Sequence, residues 1–79
     1  MTAYYHDRER DDSWPVFCAP GDDGYPSRCV AVFRTEALAR RCAGRLEEIA
    51  RIRGAQAARD CERTVALLTQ VYAERSVSA

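Results

Sequence analysis

Apolar residues recur along this chain in two different periods, and the change of period near Phe33 divides it into a β-rich first half and a helical second half. Trp14-Pro15-Val16-Phe17-Cys18 and Arg28-Cys29-Val30-Ala31-Val32-Phe33 concentrate β-branched and aromatic residues. Between them, Ala19 to Ser27 is dense in Gly, Pro and Asp, so the pattern predicts a hairpin with a long tip. Pro15 lacks an N–H for the ladder, which places the first strand at an edge or Pro15 at the strand's start. In the second strand Cys29, Ala31 and Phe33 alternate with Val30 and Val32, apolar on both faces, as in a central or doubly covered strand. A lone hairpin is marginal in water; this one must pack on the helices or recruit Ala3 to His6 as a third short strand.

Beyond Phe33 the period becomes helical. Thr35 suits an N-cap and Glu36 then sits where the helix dipole favours an anion. Leu38, Cys42, Leu46, Ile49 and Ile52 mark one apolar face, with Arg40, Glu47, Glu48 and Arg51 opposite and Glu47 spaced for an i,i+4 pair with Arg51. A second stripe, Ala57, Cys61, Val65, Leu68 and Tyr72, is rotated from the first, so a single straight rod would present no common face. Gly54 is the natural break, although Ala55 and Gln56 offer no side-chain cap to the second helix. Gly44 costs about 1 kcal/mol in mid-helix unless it permits a close approach. The expected fold is α+β: one domain over residues 1–79, an antiparallel hairpin with a possible third strand, packed on two antiparallel helices.

Charge adds polarity to this plan. Residues 1–26 hold six acids against two arginines, residues 27–79 ten arginines against six acids, and the formal total is zero. Such asymmetry governs which partners are attracted rather than which fold forms. The acids Asp7, Glu9, Asp11, Asp12, Asp22 and Asp23, with Trp14 and Tyr25 as neighbouring aromatic anchors, are the candidate partner-binding residues. They form one zone if the hairpin folds back and two patches otherwise. Arg40, Arg41 and Arg45 are the most basic local patch and the alternative site, for nucleic acid, though Glu47, Glu48, Asp60 and Glu62 interleave with Arg40, Arg51, Arg59 and Arg63, which reads as a salt-paired solvated face.

Catalysis lacks parts: His6 is the sole histidine, next to Asp7, with no nucleophile placed to use it. Cys18, Cys29, Cys42 and Cys61 form no CxxC, so no metal or cofactor is expected, and the thiols read as small buried hydrophobes. A Cys18–Cys29 cross-strand disulfide is the other option. Asp22 and Asp23 alone fall short of a calcium site. No run approaches the roughly 20 apolar residues of a membrane span, and the first residues lack a secretory pattern, so the cytoplasm is the expected location.

The acidic run Asp7-Arg8-Glu9-Arg10-Asp11-Asp12, the hairpin from Trp14 to Phe33 and two short helices without an active site resemble the very small anti-CRISPR proteins of phages and mobile elements, among them inhibitors of the type I-C Cascade. The resemblance implies a non-enzymatic monomer in the host cytoplasm. It would bind a Cas subunit with a basic DNA-binding surface and keep target DNA away by mimicry or steric block, without contacting nucleic acid itself. The competing classes are a nucleic-acid or regulatory adaptor using the Arg-rich helix face, and a helical module dimerising through Leu38, Ile49, Leu68 and Tyr72.

Overall fold

The computed structural model describes residues 3–20 and 26–78, with side chains as far as Val71. Strands β1 (Tyr4–His6), β2 (Trp14–Cys18) and β3 (Arg28–Phe33) are followed by helices α1 (Glu36–Arg53) and α2 (Ala55–Ser78). The sheet is antiparallel in the order β1-β2-β3, and one face lies on the helices, an α+β arrangement. β2 is therefore the central strand and β3 an edge, the reverse of what Pro15 and the doubly apolar β3 suggest. Pro15 fits a central strand because β1 pairs only as far as His6 opposite Val16, leaving Pro15 at the ladder's end, where its carbonyl accepts from Asp7 N at 3.0 Å.

Alternation along β3 is broken by a bulge. Val16 faces Ala31 but Phe17 faces Cys29, so Val30 is an extra residue on β3. One inserted residue moves everything before it to the other face. Cys29 joins Val32 outside rather than Ala31 and Phe33 inside, and Arg28 turns toward the helices with Cys18. The expected grouping of Cys29 with Ala31 and Phe33 is thereby corrected. Cys18 is buried and Cys29 exposed, on opposite faces, and both are free thiols.

Thr35 caps α1 as expected, its extended backbone letting the hydroxyl accept from Leu38 N at 3.3 Å. Gly54, at φ +99°, ends α1 and donates its N–H to Ala50 O. Its carbonyl then accepts from Ala58 N, so the same residue begins α2 with backbone alone, which makes good the missing side-chain cap.

Buried Tyr4, Val16, Cys18 and Phe33 of the sheet meet Ala39, Cys42, Leu46 and Ile49 of α1, and Ala58 and Val65 of α2. Ile52 stands exposed, one turn beyond the sheet's cover. Among the described side chains of α2 the buried ones are Ala58, Glu62, Val65 and Thr69, so the stripe is rotated by about one position from the purely apolar one; Leu68 is half-exposed, and the Tyr72 side chain lies outside the described residues. Glu47 does not serve the solvent face. Its Oε2 accepts from Ala3 N at 2.7 Å and Tyr4 N at 2.8 Å, fastening β1 to α1.

Candidate functional site: the open face of the sheet

The sheet face turned away from the helices has no cover among the described residues. Strand alternation puts Tyr5 and Phe17 side by side on it, stacked with ring centroids 5.4 Å apart. Val32, opposite Pro15, lies on the same face and is 57% exposed, and the bulge adds Cys29 opposite Phe17. Apolar residues of this size left to water in one neighbourhood are the usual mark of a contact surface.

The acidic loop borders this face directly. Glu9 N donates to Ser13 O and Ser13 N to Arg10 O, closing a tight reversal between β1 and β2. A shallow depression of about 420 Å³ runs from Asp7, Arg8 and Glu9 across Pro15 and Phe17 to Cys29 and Val32. Within the loop, Asp7 Oδ1 accepts from Arg8 N at 2.8 Å, and the Arg8 guanidinium pairs with Asp11 at 2.5 Å while standing 5.7 Å over the Trp14 ring. The acids are thus partly neutralised. Glu9 is an exposed carboxylate lining the depression, Asp12 is exposed in the same loop, and Trp14 is half-buried beneath Arg8 rather than standing clear.

Asp22, Asp23 and Tyr25 lie outside the described residues. Ala19 and Pro20, which lead toward them, leave β2 at the end opposite the Asp7–Ser13 loop. Arg40, Arg41 and Arg45 are all exposed on α1. Arg40 pairs with Glu36, and Arg45 with Glu48 at 3.2 Å, so two of the three are matched by acids one turn away. His6 is half-buried on β1 opposite Val16.

Beneath the sheet, Tyr4, Arg28 and Glu62 form a largely buried polar cluster beside the Cys42 thiol. Burial, then the hydrogen bond to Glu62, raises the Tyr4 phenol above its ordinary value. Burial, then the Glu62 charge, pushes the Cys42 thiol up to about 11, keeping it in the unreactive neutral form. Among the described residues no three His, Cys, Asp or Glu side chains are grouped to hold a metal ion, and no helix is long and apolar enough to cross a membrane.

Tyr5, Phe17 and Val32 do not stand out as site residues in the sequence. Tyr5, Phe17 and Val32 carry an alternation signal, but Cys29 can be placed with them only once the bulge is known. Compared with protein-family models, with characterised proteins and with solved structures, the chain matches none.

Proposed function

We propose that this chain is a non-enzymatic binding protein that occludes a basic surface on a larger protein. The Asp7–Asp12 loop meets the partner's cations and the open sheet face covers apolar groups beside them. What carries this reading is the adjacency of Phe17 and Val32 to Asp7 and Glu9 in one depression, with the exposed Tyr5 ring stacked on Phe17 beside it. An apolar centre with a charged rim is the usual division of labour at an interface, the first supplying affinity and the second selection and encounter rate.

The form suggested by the resemblance is inhibition of a CRISPR surveillance complex of type I-C, with target DNA kept from binding. Steric occlusion is favoured over close imitation of DNA. Duplex DNA presents a charge about every 1.7 Å, whereas Arg8 and Arg10 interrupt the loop and Arg8 already holds Asp11. The adaptor reading is weaker because Arg40 and Arg45 are engaged with Glu36 and Glu48.

Fluorescence anisotropy of labelled target DNA with purified type I-C Cascade tests this. Excess chain should abolish DNA binding, and Glu9→Arg/Asp12→Arg and Val32→Arg should each restore it while leaving the chain folded by circular dichroism. Undiminished DNA binding rejects the surveillance-complex form. Inhibition that survives both variants removes the open face from the interface.

A further inference from the structure

Among the described residues β1 is three residues long and pairs with β2 alone. A strand so short has little hold of its own, yet it supplies two of the groups on which the open face depends. Tyr5, 41% exposed, stacks on Phe17 there, and Asp7, just past the strand, lines the depression. Strand alternation sends the neighbouring Tyr4 the other way, into the core, where its hydroxyl donates to Glu62. The two sides of β1 therefore move together. Whatever fixes the strand from beneath also fixes Tyr5 and Asp7 above.

Glu47 does this without touching the open face. The bonds from Ala19 N to Ala3 O at 2.8 Å and from Asp7 N to Pro15 O at 3.0 Å set the phase of the ladder, in which the main-chain groups of Ala3, Tyr5 and Asp7 face β2 and those of Tyr4 face the outer edge. The sheet offers the Tyr4 N–H no acceptor on that side. Glu47 Oε2 reaches it from α1 at 2.8 Å and takes the Ala3 N–H as well at 2.7 Å. Leu46, the residue before Glu47, is fully buried, so the carboxylate is carried by a part of α1 anchored in the core.

We propose that Glu47 is a positioning residue for the partner-binding face, holding β1 so that Tyr5 and Asp7 stand where a partner meets them. This rests on the binding function proposed above and adds to it a coupling between strand docking and binding. Only a chain with β1 docked presents the complete face, so apparent affinity scales with the docked fraction. The coupling is reciprocal, and a bound partner holds β1 down by the same factor.

Two readouts on the full chain test it. In the free protein, NMR should show contacts between the Tyr5 and Phe17 rings in the parent and in Glu47→Gln, whose amide oxygen still accepts, and should show none in Glu47→Ala, with helical circular dichroism unchanged in all three. In the anisotropy assay with type I-C Cascade and labelled DNA, Glu47→Ala should need about ten times more chain for half-inhibition, the value for a docked fraction of about one tenth, while Glu47→Gln stays close to the parent. Introduced into a Tyr5→Ala/Asp7→Ala chain, Glu47→Ala should cost nothing further, because the groups it positions are already gone. A role in stability alone would add its loss there too. Ring contacts that persist in Glu47→Ala overturn the proposal, as does inhibition that is indifferent to Glu47→Ala, or a loss that is equally large in the Tyr5→Ala/Asp7→Ala background. Should the parent leave DNA binding undiminished, the surveillance-complex reading fails by itself, and the ring contacts alone decide whether Glu47 positions the face.

Discussion

Arg28 and Glu62 meet across the interior at 2.5 Å, joining the start of β3 to the N-terminal half of α2. Glu62 is almost wholly buried, and the same Oε1 accepts from the Tyr4 hydroxyl at 2.8 Å, so one carboxylate ties both edge strands to the helical layer. The bulge at Val30 makes this possible: without the extra residue, strict alternation would point Arg28 to the open face.

Removing the guanidinium strands a charge where water cannot reach it. Arg28→Ala should destabilise the fold by about 3 kcal/mol, the low end for a broken buried pair because Arg28 itself is one-third exposed. Replacing the cluster as a unit with Tyr4→Phe/Arg28→Met/Glu62→Met should cost far less, since no polar group is then left unpartnered. Urea denaturation compares the two. An Arg28→Ala variant within about 0.5 kcal/mol of the parent, the range of ordinary surface substitutions, would show that the pair contributes nothing to folding.

Glu47 should matter for a different reason. It accepts two backbone N–H groups at the start of β1, a three-residue strand with no other tie of this kind to α1 among the described residues. Hydrogen bonds to a charged acceptor contribute about 1.5–3 kcal/mol each. Glu47→Ala should therefore release β1 selectively, seen as fast amide exchange at residues 4–6 while α1 and α2 remain protected. Unchanged protection of Tyr4 and His6 would contradict the fastening role.

These two glutamates also mark where the sequence stops being informative. Thr35 and Gly54 are legible because capping is local: a hydroxyl reaching Leu38 N and a glycine at positive φ need only their own neighbours. The fold class follows from such local signals together with the change of period. Glu47 and Glu62 read as solvent-facing because a carboxylate buries only when distant partners satisfy it, here the N–H groups of Ala3 and Tyr4 and the side chains of Tyr4 and Arg28. Misplacing Glu62 shifts the α2 stripe by a position, which hides Leu67 and Val71 as an outward face. The open sheet face is hidden likewise, since Cys29 and Val32 share a side only through the bulge.

The two helical glycines should respond in opposite directions to alanine. Gly44 is exposed within α1, and a Cβ there would meet nothing within 4 Å, so the residue permits no close approach. Gly44→Ala should stabilise the fold by about 0.5–1 kcal/mol through helix propensity and unfolded-state entropy. Gly54 has equal space but sits at φ +99°, where an L side chain is strained. Gly54→Ala should cost about 1 kcal/mol and weaken the turn that makes the helices antiparallel. Thermal melts of both variants decide this; a destabilising Gly44→Ala would mean that α1 is packed on its outer face as well.

Alkaline pH should unfold the protein through two buried acids. The Cys42 thiol, fully buried and pushed up to about 11 by burial and by Glu62, holds its proton more tightly in the fold than in the unfolded chain, where a thiol titrates near about 8.5. Its contribution is thus complete below about pH 8.5 and is lost as pH rises from there through about 11, because the unfolded state gives up the proton first. The Tyr4 phenol is raised further, by burial and by its bond to Glu62, and extends the loss to higher pH. Each group should remove at most about 1.4 kcal/mol per pH unit within its window. Chemical denaturation from pH 7 to 11 should show the parent falling more steeply than Cys42→Ala above about pH 8.5. Cys42→Ala should begin lower at pH 7, by about 1–2 kcal/mol, for the atoms removed from the core. Tyr4→Phe should flatten the curve above about pH 10, where an ordinary phenol ionises. Parallel pH profiles for the parent and Cys42→Ala would mean that the thiol ionises as readily folded as unfolded, and that α1 does not seal it from water.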